Sequence, residues 1–76
     1  MNGSQEQLAA YREAVVKNPA SAAVHYELGN ALLSAGKSQE AAASFESAVA
    51  LQPGHADAQY WLAYAYSLLG RLDDAR

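Results

Sequence analysis

Apolar residues recur along the chain at the spacing of a helix face. Leu28, Ala31, Leu32 and Ala35 fall at i, i+3, i+4 and i+7, and Leu62, Ala65, Tyr66 and Leu69 repeat the series. Residues so spaced lie on one side of an α-helix. Between these stripes stand Tyr11, Ala14 and Val15, and later Phe45, Ala48 and Val49. Each of these sets supplies one ring with small neighbours, so that adjacent helices approach closely. Helix breakers divide the pattern: Pro19 and Pro53 cannot continue a preceding helix, and Gly36 and Gly70 suit left-handed C-terminal caps. The pattern predicts helices at about Gln5–Lys17, Ala22–Ala35, Ser38–Leu51 and Ala56–Leu69, with a fifth beginning near Leu72. Ser4 with Gln7 reads as a capping box, Ser21 and Ser38 as N-caps of the next two helices, and His55 as a turn or N-cap residue.

The two halves of this pattern are one pattern displaced by 34 residues. That shift carries Pro19 to Pro53, Tyr11 to Phe45, Tyr26 to Tyr60, Leu28 to Leu62, Gly36 to Gly70 and Ala41 to Ala75. A fixed period of this length marks a repeat architecture whose unit is a pair of helices. The composition agrees with all-α structure: eighteen alanines and nine leucines stand against four valines, with no isoleucine and no threonine. Seventy-six residues make one small domain. A chain of that size buries only about 60% of its unfolded surface, so its core is modest.

Charge narrows the partners. The formal net charge is −3 and the five Lys and Arg are scattered, which leaves no basic stripe for phosphates and argues against nucleic acid. There is no cysteine, hence no disulfide or thiolate site. The first residues carry no basic cluster and no apolar run approaches the ~18 residues of a membrane span, so no membrane association is expected and cytoplasm is the default compartment. His25 and His55 stand in no metal-ligand spacing, and both read as structural. Asp73 and Asp74 read as acidic residues at a helix start, favouring the positive end of the helix dipole. No phosphate-binding loop, nucleophile-base pair or metal cluster is present, so neither an enzyme, nor a cofactor, nor a small-molecule substrate is expected.

Leu28-Gly29, Ala41, Phe45, Ala48 and Pro53, set within one unit from Ala22 to His55, resemble the tetratricopeptide repeat family. The resemblance continues before that unit, in Tyr11, Ala14 and Pro19, and after it, in Leu62, Ala63 and Tyr66. It implies an all-α fold of antiparallel helix-turn-helix repeats stacked as a short right-handed superhelical array. One domain would span 1–76: the second helix of a partial repeat (1–21), a complete repeat (22–55), and the first helix and start of the second helix of a truncated repeat (56–76). Two departures stand out. His25 and Gln59 occupy the place of the family's early tryptophan, and Ala63 replaces the glycine after leucine. Together they imply somewhat looser packing at the start of each first helix, without threatening the fold.

In this family the first helices build a concave binding surface, which here would carry Tyr26, Asn30 and Leu33 from one helix and Asp57, Tyr60, Trp61, Tyr64 and Leu68 from the other. Tyrosine and tryptophan are enriched in binding hot spots because they cover large areas with few rotors. The same rings are equally suited to pack against a neighbouring repeat. The lysine-arginine-asparagine clamp by which some relatives hold acidic tails is represented only by Asn30, and Asp57 has the wrong sign, so an apolar or weakly basic partner is expected. The leading expectation is a non-catalytic module that binds a peptide or helix. The alternatives are a homodimer closing an open edge at Leu62, Ala65, Leu69 and the segment Leu72–Arg76, or a passive segment of a longer solenoid.

Overall fold

A computed structural model describes the backbone of residues 3–74 and the side chains of residues 6–70. Its helices are α1 (Gly3–Lys17), α2 (Ala22–Ser34), α3 (Ser38–Leu51) and α4 (Ala56–Asp74). The array is all-α, as the apolar period requires. Consecutive helices pack on one another, and α2 also touches α4, whereas α1 and α3 have no comparable backbone approach. Between α1 and α3 the structure has a long side-chain bridge instead, Arg12 Nη2 to Glu40 Oε1 at 3.1 Å. Helices on the inner side of a curved stack lie closer together, so α2 and α4 form the concave side.

The punctuation is chemically distinct at each end. Gly36 has φ +79, the left-handed conformation that a Cβ disfavours. Around it Lys37 N donates to Leu32 O at 2.9 Å and Gly36 N to Leu33 O at 3.0 Å, the paired bonds of a Schellman cap. The two proline turns repeat each other: Ser21 N donates to Asn18 O at 3.1 Å, and His55 N to Gln52 O at 3.0 Å. After each turn comes a cap in the same place. Ser21 Oγ accepts from Val24 N at 3.4 Å, and His55 Nδ1 accepts from Ala58 N at 3.1 Å. An imidazole thus does in the second repeat what a hydroxyl does in the first.

Several sequence expectations are revised. Ser38 is the first residue of α3 and not its cap; Lys37 precedes it and makes no side-chain cap bond. Ser4 lies within α1, so it does not flank the helix as a capping box requires. Gly70 lies inside α4, which runs to Asp74 in place of the expected stop at Leu69 and a fifth helix from Leu72. Gly70 continues the helix in place of capping it, and once a helix is formed each added residue contributes a further backbone hydrogen bond without a new nucleation cost. Asp73 and Asp74 consequently lie at the end of a helix, not at its start.

The main core gathers Leu8, Leu28, Leu32, Ala41, Phe45 and Ala65. Phe45 is fully buried, and its ring lies where a Cβ on Gly29 would stand, 2.6 Å from Cε1. The glycine of the Leu-Gly pair is therefore a packing requirement. A second cluster of Ala22, Ala48 and Ala58 seals the other end, and Tyr26 packs against both. Ala65 is wholly buried and Leu62 and Leu69 are half-buried on the main core, so these three do not form the open edge expected from the sequence.

The positions of the missing tryptophan are also better held than expected. His25 Nε2 lies 2.9 Å from Pro19 O, and Gln59 Nε2 donates to Pro53 O. A carbonyl only accepts, so Nε2 of His25 carries the proton. These equivalent bonds tie the start of each first helix to the turn before it, so the looser packing expected there is offset by a polar tether.

Candidate functional site

Two of the residues anticipated for the concave face are engaged within the fold. Tyr26 is half-buried, with its ring centroid 6.0 Å from Phe45 and 4.9 Å from His55. Leu33 packs on the main core. Trp61 has one side on that core and stands between two tyrosines: Tyr60 at 5.0 Å and 84°, Tyr64 at 5.4 Å and 88°. Edge-to-face contacts of this kind favour a fixed geometry. Tyr60 is 64% exposed and Tyr64 43%, so the outer rings face solvent while the indole anchors them. Asp57 is exposed one turn before Tyr60 and Trp61, and Leu68 is half-buried one turn after Tyr64. The structure thus brings Asp57, Tyr60, Trp61, Tyr64 and Leu68 together on α4.

Asn30 lies elsewhere, in a groove of 290 Å³ between α1 and α2 lined by Gln7, Tyr11, Glu27, Asn30, Ala31 and Ser34. The 34-residue shift converts these into Ala41, Phe45, Trp61, Tyr64, Ala65 and Leu68. That second set is where α2 sits, with Leu28 and Leu32 against Ala41, Phe45 and Ala65. The groove is thus the 34-residue counterpart of the seat that α2 occupies, and Tyr11, half-buried, is the counterpart of fully buried Phe45. Periodicity alone did not reveal this seat, although the Tyr11–Phe45 correspondence was its signal.

Charge on this side is of one sign. Glu27 on α2 and Asp57 on α4 are exposed, whereas the described cations lie on α1 (Arg12, Lys17) and in the α2–α3 turn (Lys37). Arg12 and Lys17 are further engaged by Glu40 and Glu13. Glu46 of α3 accepts a hydrogen bond from the Tyr66 hydroxyl. That bond, more than desolvation or the carboxylate's charge, pushes the Tyr66 phenol above its ordinary value of 10.0. Among the described residues no group of three or more His, Cys, Asp or Glu is placed to hold a metal ion, and no helix is long and apolar enough to cross a membrane.

Comparison with known proteins agrees with the geometry of paired helices, buried Leu-Gly-Phe packing and proline turns. The model of the tetratricopeptide repeat family matches residues 6–55 and again 26–76, two overlapping spans that together cover nearly the whole chain. No match is found among curated proteins. With the helical pairs, their period and the family match in agreement, the chain belongs to the tetratricopeptide repeat family.

Proposed function

We propose that this chain is a non-catalytic binding module that takes a peptide or a helix on the concave side, with α4 as the principal contact. Tetratricopeptide repeats generally serve as protein-interaction modules. The observation that carries the finer reading is the aromatic ladder Tyr60–Trp61–Tyr64, held edge-to-face on the core yet open to solvent at both tyrosines. Rings fixed before binding lose little entropy when a partner arrives. Asp57 and Glu27, with no described cation on the same side, suit an apolar segment carrying a basic residue. Asn30 and Leu68 extend the contact at its edges. Tyr26 and Leu33 support the surface from beneath.

Peptides selected from a random library, with binding followed by Trp61 fluorescence, test the proposal. Tyr64→Ala is expected to weaken a selected peptide by about tenfold or more, the scale of a hot-spot aromatic. Peptides that bind the Tyr64→Ala variant equally well, or that are predominantly acidic, refute it.

A further inference from the structure

The two repeats show the same surface covered and uncovered. On α2, Gly29 and Leu32 are buried and Tyr26 is half-buried, with Phe45 of α3 lying over Gly29 and 6.0 Å from the Tyr26 ring. Their counterparts on α4 are Ala63, Tyr66 and Tyr60, and all three are exposed, the tyrosines at 48% and 64%. The face of α4 that carries them thus has the outline of the α2 face that α3 covers. The complementary half is also present: α1 is the 34-residue counterpart of α3, with Tyr11, Ala14 and Val15 for Phe45, Ala48 and Val49. Beside it lies the open groove that fits a helix like α2.

We infer that a second copy of this chain docks head-to-tail, its α1 lying over Tyr60, Ala63 and Tyr66 while α4 enters its α1–α2 groove. The contact continues the internal series α1–α2, α2–α3, α3–α4 across the molecular boundary. It is weaker than the internal α2–α3 contact. Ala63 has a Cβ where Gly29 has none, and a Cβ at Gly29 would stand 2.6 Å from the Phe45 ring, so the second copy's Tyr11 stands farther out. One electrostatic pair opposes docking: the shift that relates Arg12 to Glu46 and Glu40 to Glu6 turns the Arg12–Glu40 bridge into Glu46 facing Glu6 of the second copy. The interface joins two different surfaces, so it does not form a two-fold dimer, and each added copy presents the same α4 face again.

Sedimentation velocity over a wide concentration range tests this, with far-UV circular dichroism confirming that each variant remains helical. The wild type is expected to show a rising series of oligomers. Ala63→Arg, at an exposed helical site, is expected to weaken association by about tenfold or more by placing a charge in the contact. Glu6→Arg is expected to strengthen it by roughly threefold, since it replaces the repulsive pair with an Arg-Glu pair. Tyr60 belongs to both surfaces, but Tyr64 lies outside the Tyr60, Ala63 and Tyr66 contact, so Tyr64→Ala is expected to weaken peptide binding while leaving association largely intact, which keeps the two failures distinguishable. A wild type that stays monomeric at millimolar concentration, a closed dimer that grows no further, or association indifferent to both Ala63→Arg and Glu6→Arg overturns the inference.

Discussion

Replacing Gly29 with alanine sets two effects of opposite sign against each other. Gly29 lies within α2, and a glycine-to-alanine change in a helix interior ordinarily stabilises by about 0.8–1.0 kcal/mol. Here the new Cβ would lie 2.6 Å from Phe45 Cε1 and 2.8 Å from Cδ1 and Cζ, well inside the 3.4–4 Å of ordinary contact. Phe45 is fully buried between α2, α3 and α4, so its ring cannot swing into solvent. Overpacking of this kind costs about 1–3 kcal/mol. The net expectation is a loss of about 1 kcal/mol, which for a domain of this size lowers Tm by about 4–8 °C. Thermal unfolding followed by far-UV circular dichroism measures it. The double variant Gly29→Ala, Phe45→Leu separates the terms, because the smaller side chain makes room and the helix-propensity gain should reappear relative to Phe45→Leu alone. A Gly29→Ala chain that melts higher than the wild type would show that the Gly29–Phe45 contact is not tight, and the explanation of the Leu-Gly pair would fall with it.

Leu28→Ala removes a buried core side chain and is expected to cost about 2–5 kcal/mol in denaturant unfolding, with Leu62→Ala costing less because Leu62 is half-buried. His55→Ala loses the acceptor for Ala58 N and is expected to cost about 1 kcal/mol; His55→Asn, which restores a capping oxygen, should recover most of it by the same measurement. The Tyr66 phenol holds its proton more tightly in the folded chain, so the Tyr66–Glu46 bond contributes below the ordinary tyrosine value and is lost as pH rises through the raised one. Alkaline absorbance titration of Tyr66→Phe should lose the absorbance change that Tyr66 contributes above the ordinary tyrosine value, and an unchanged curve there would count against the bond.

Helix existence and the period were legible because Leu, Ala and the prolines repeat in register, and local spacing alone determines which side of a helix they occupy. The face assignments were legible only in part. Tyr26 and Tyr60 are the same residue type at the same repeat position, yet one packs near Phe45 and His55 and the other is open, because exposure is set by tertiary neighbours that local spacing does not encode. The polar tethers from His25 and Gln59 were missed for a related reason. Both depart from the family's aromatic, and nothing in their spacing announces that the carbonyls of Pro19 and Pro53 wait one turn away. Gly70 differs from Gly36 in the structure because glycine permits the left-handed cap without requiring it: Gly36 takes a positive φ between α2 and α3, whereas Gly70 stays helical inside α4.

The concave side as the binding surface is tested most directly by nuclear magnetic resonance shift mapping on isotope-labelled chain titrated with a library-selected peptide, at a concentration where the chain is monomeric. The largest shifts are expected at Asp57, Trp61, Tyr64 and Leu68, with smaller ones at Asn30 and little change along the outer faces of α1 and α3. Shifts concentrated around Arg12 and Glu40, on the side where α1 and α3 are bridged, would contradict the account.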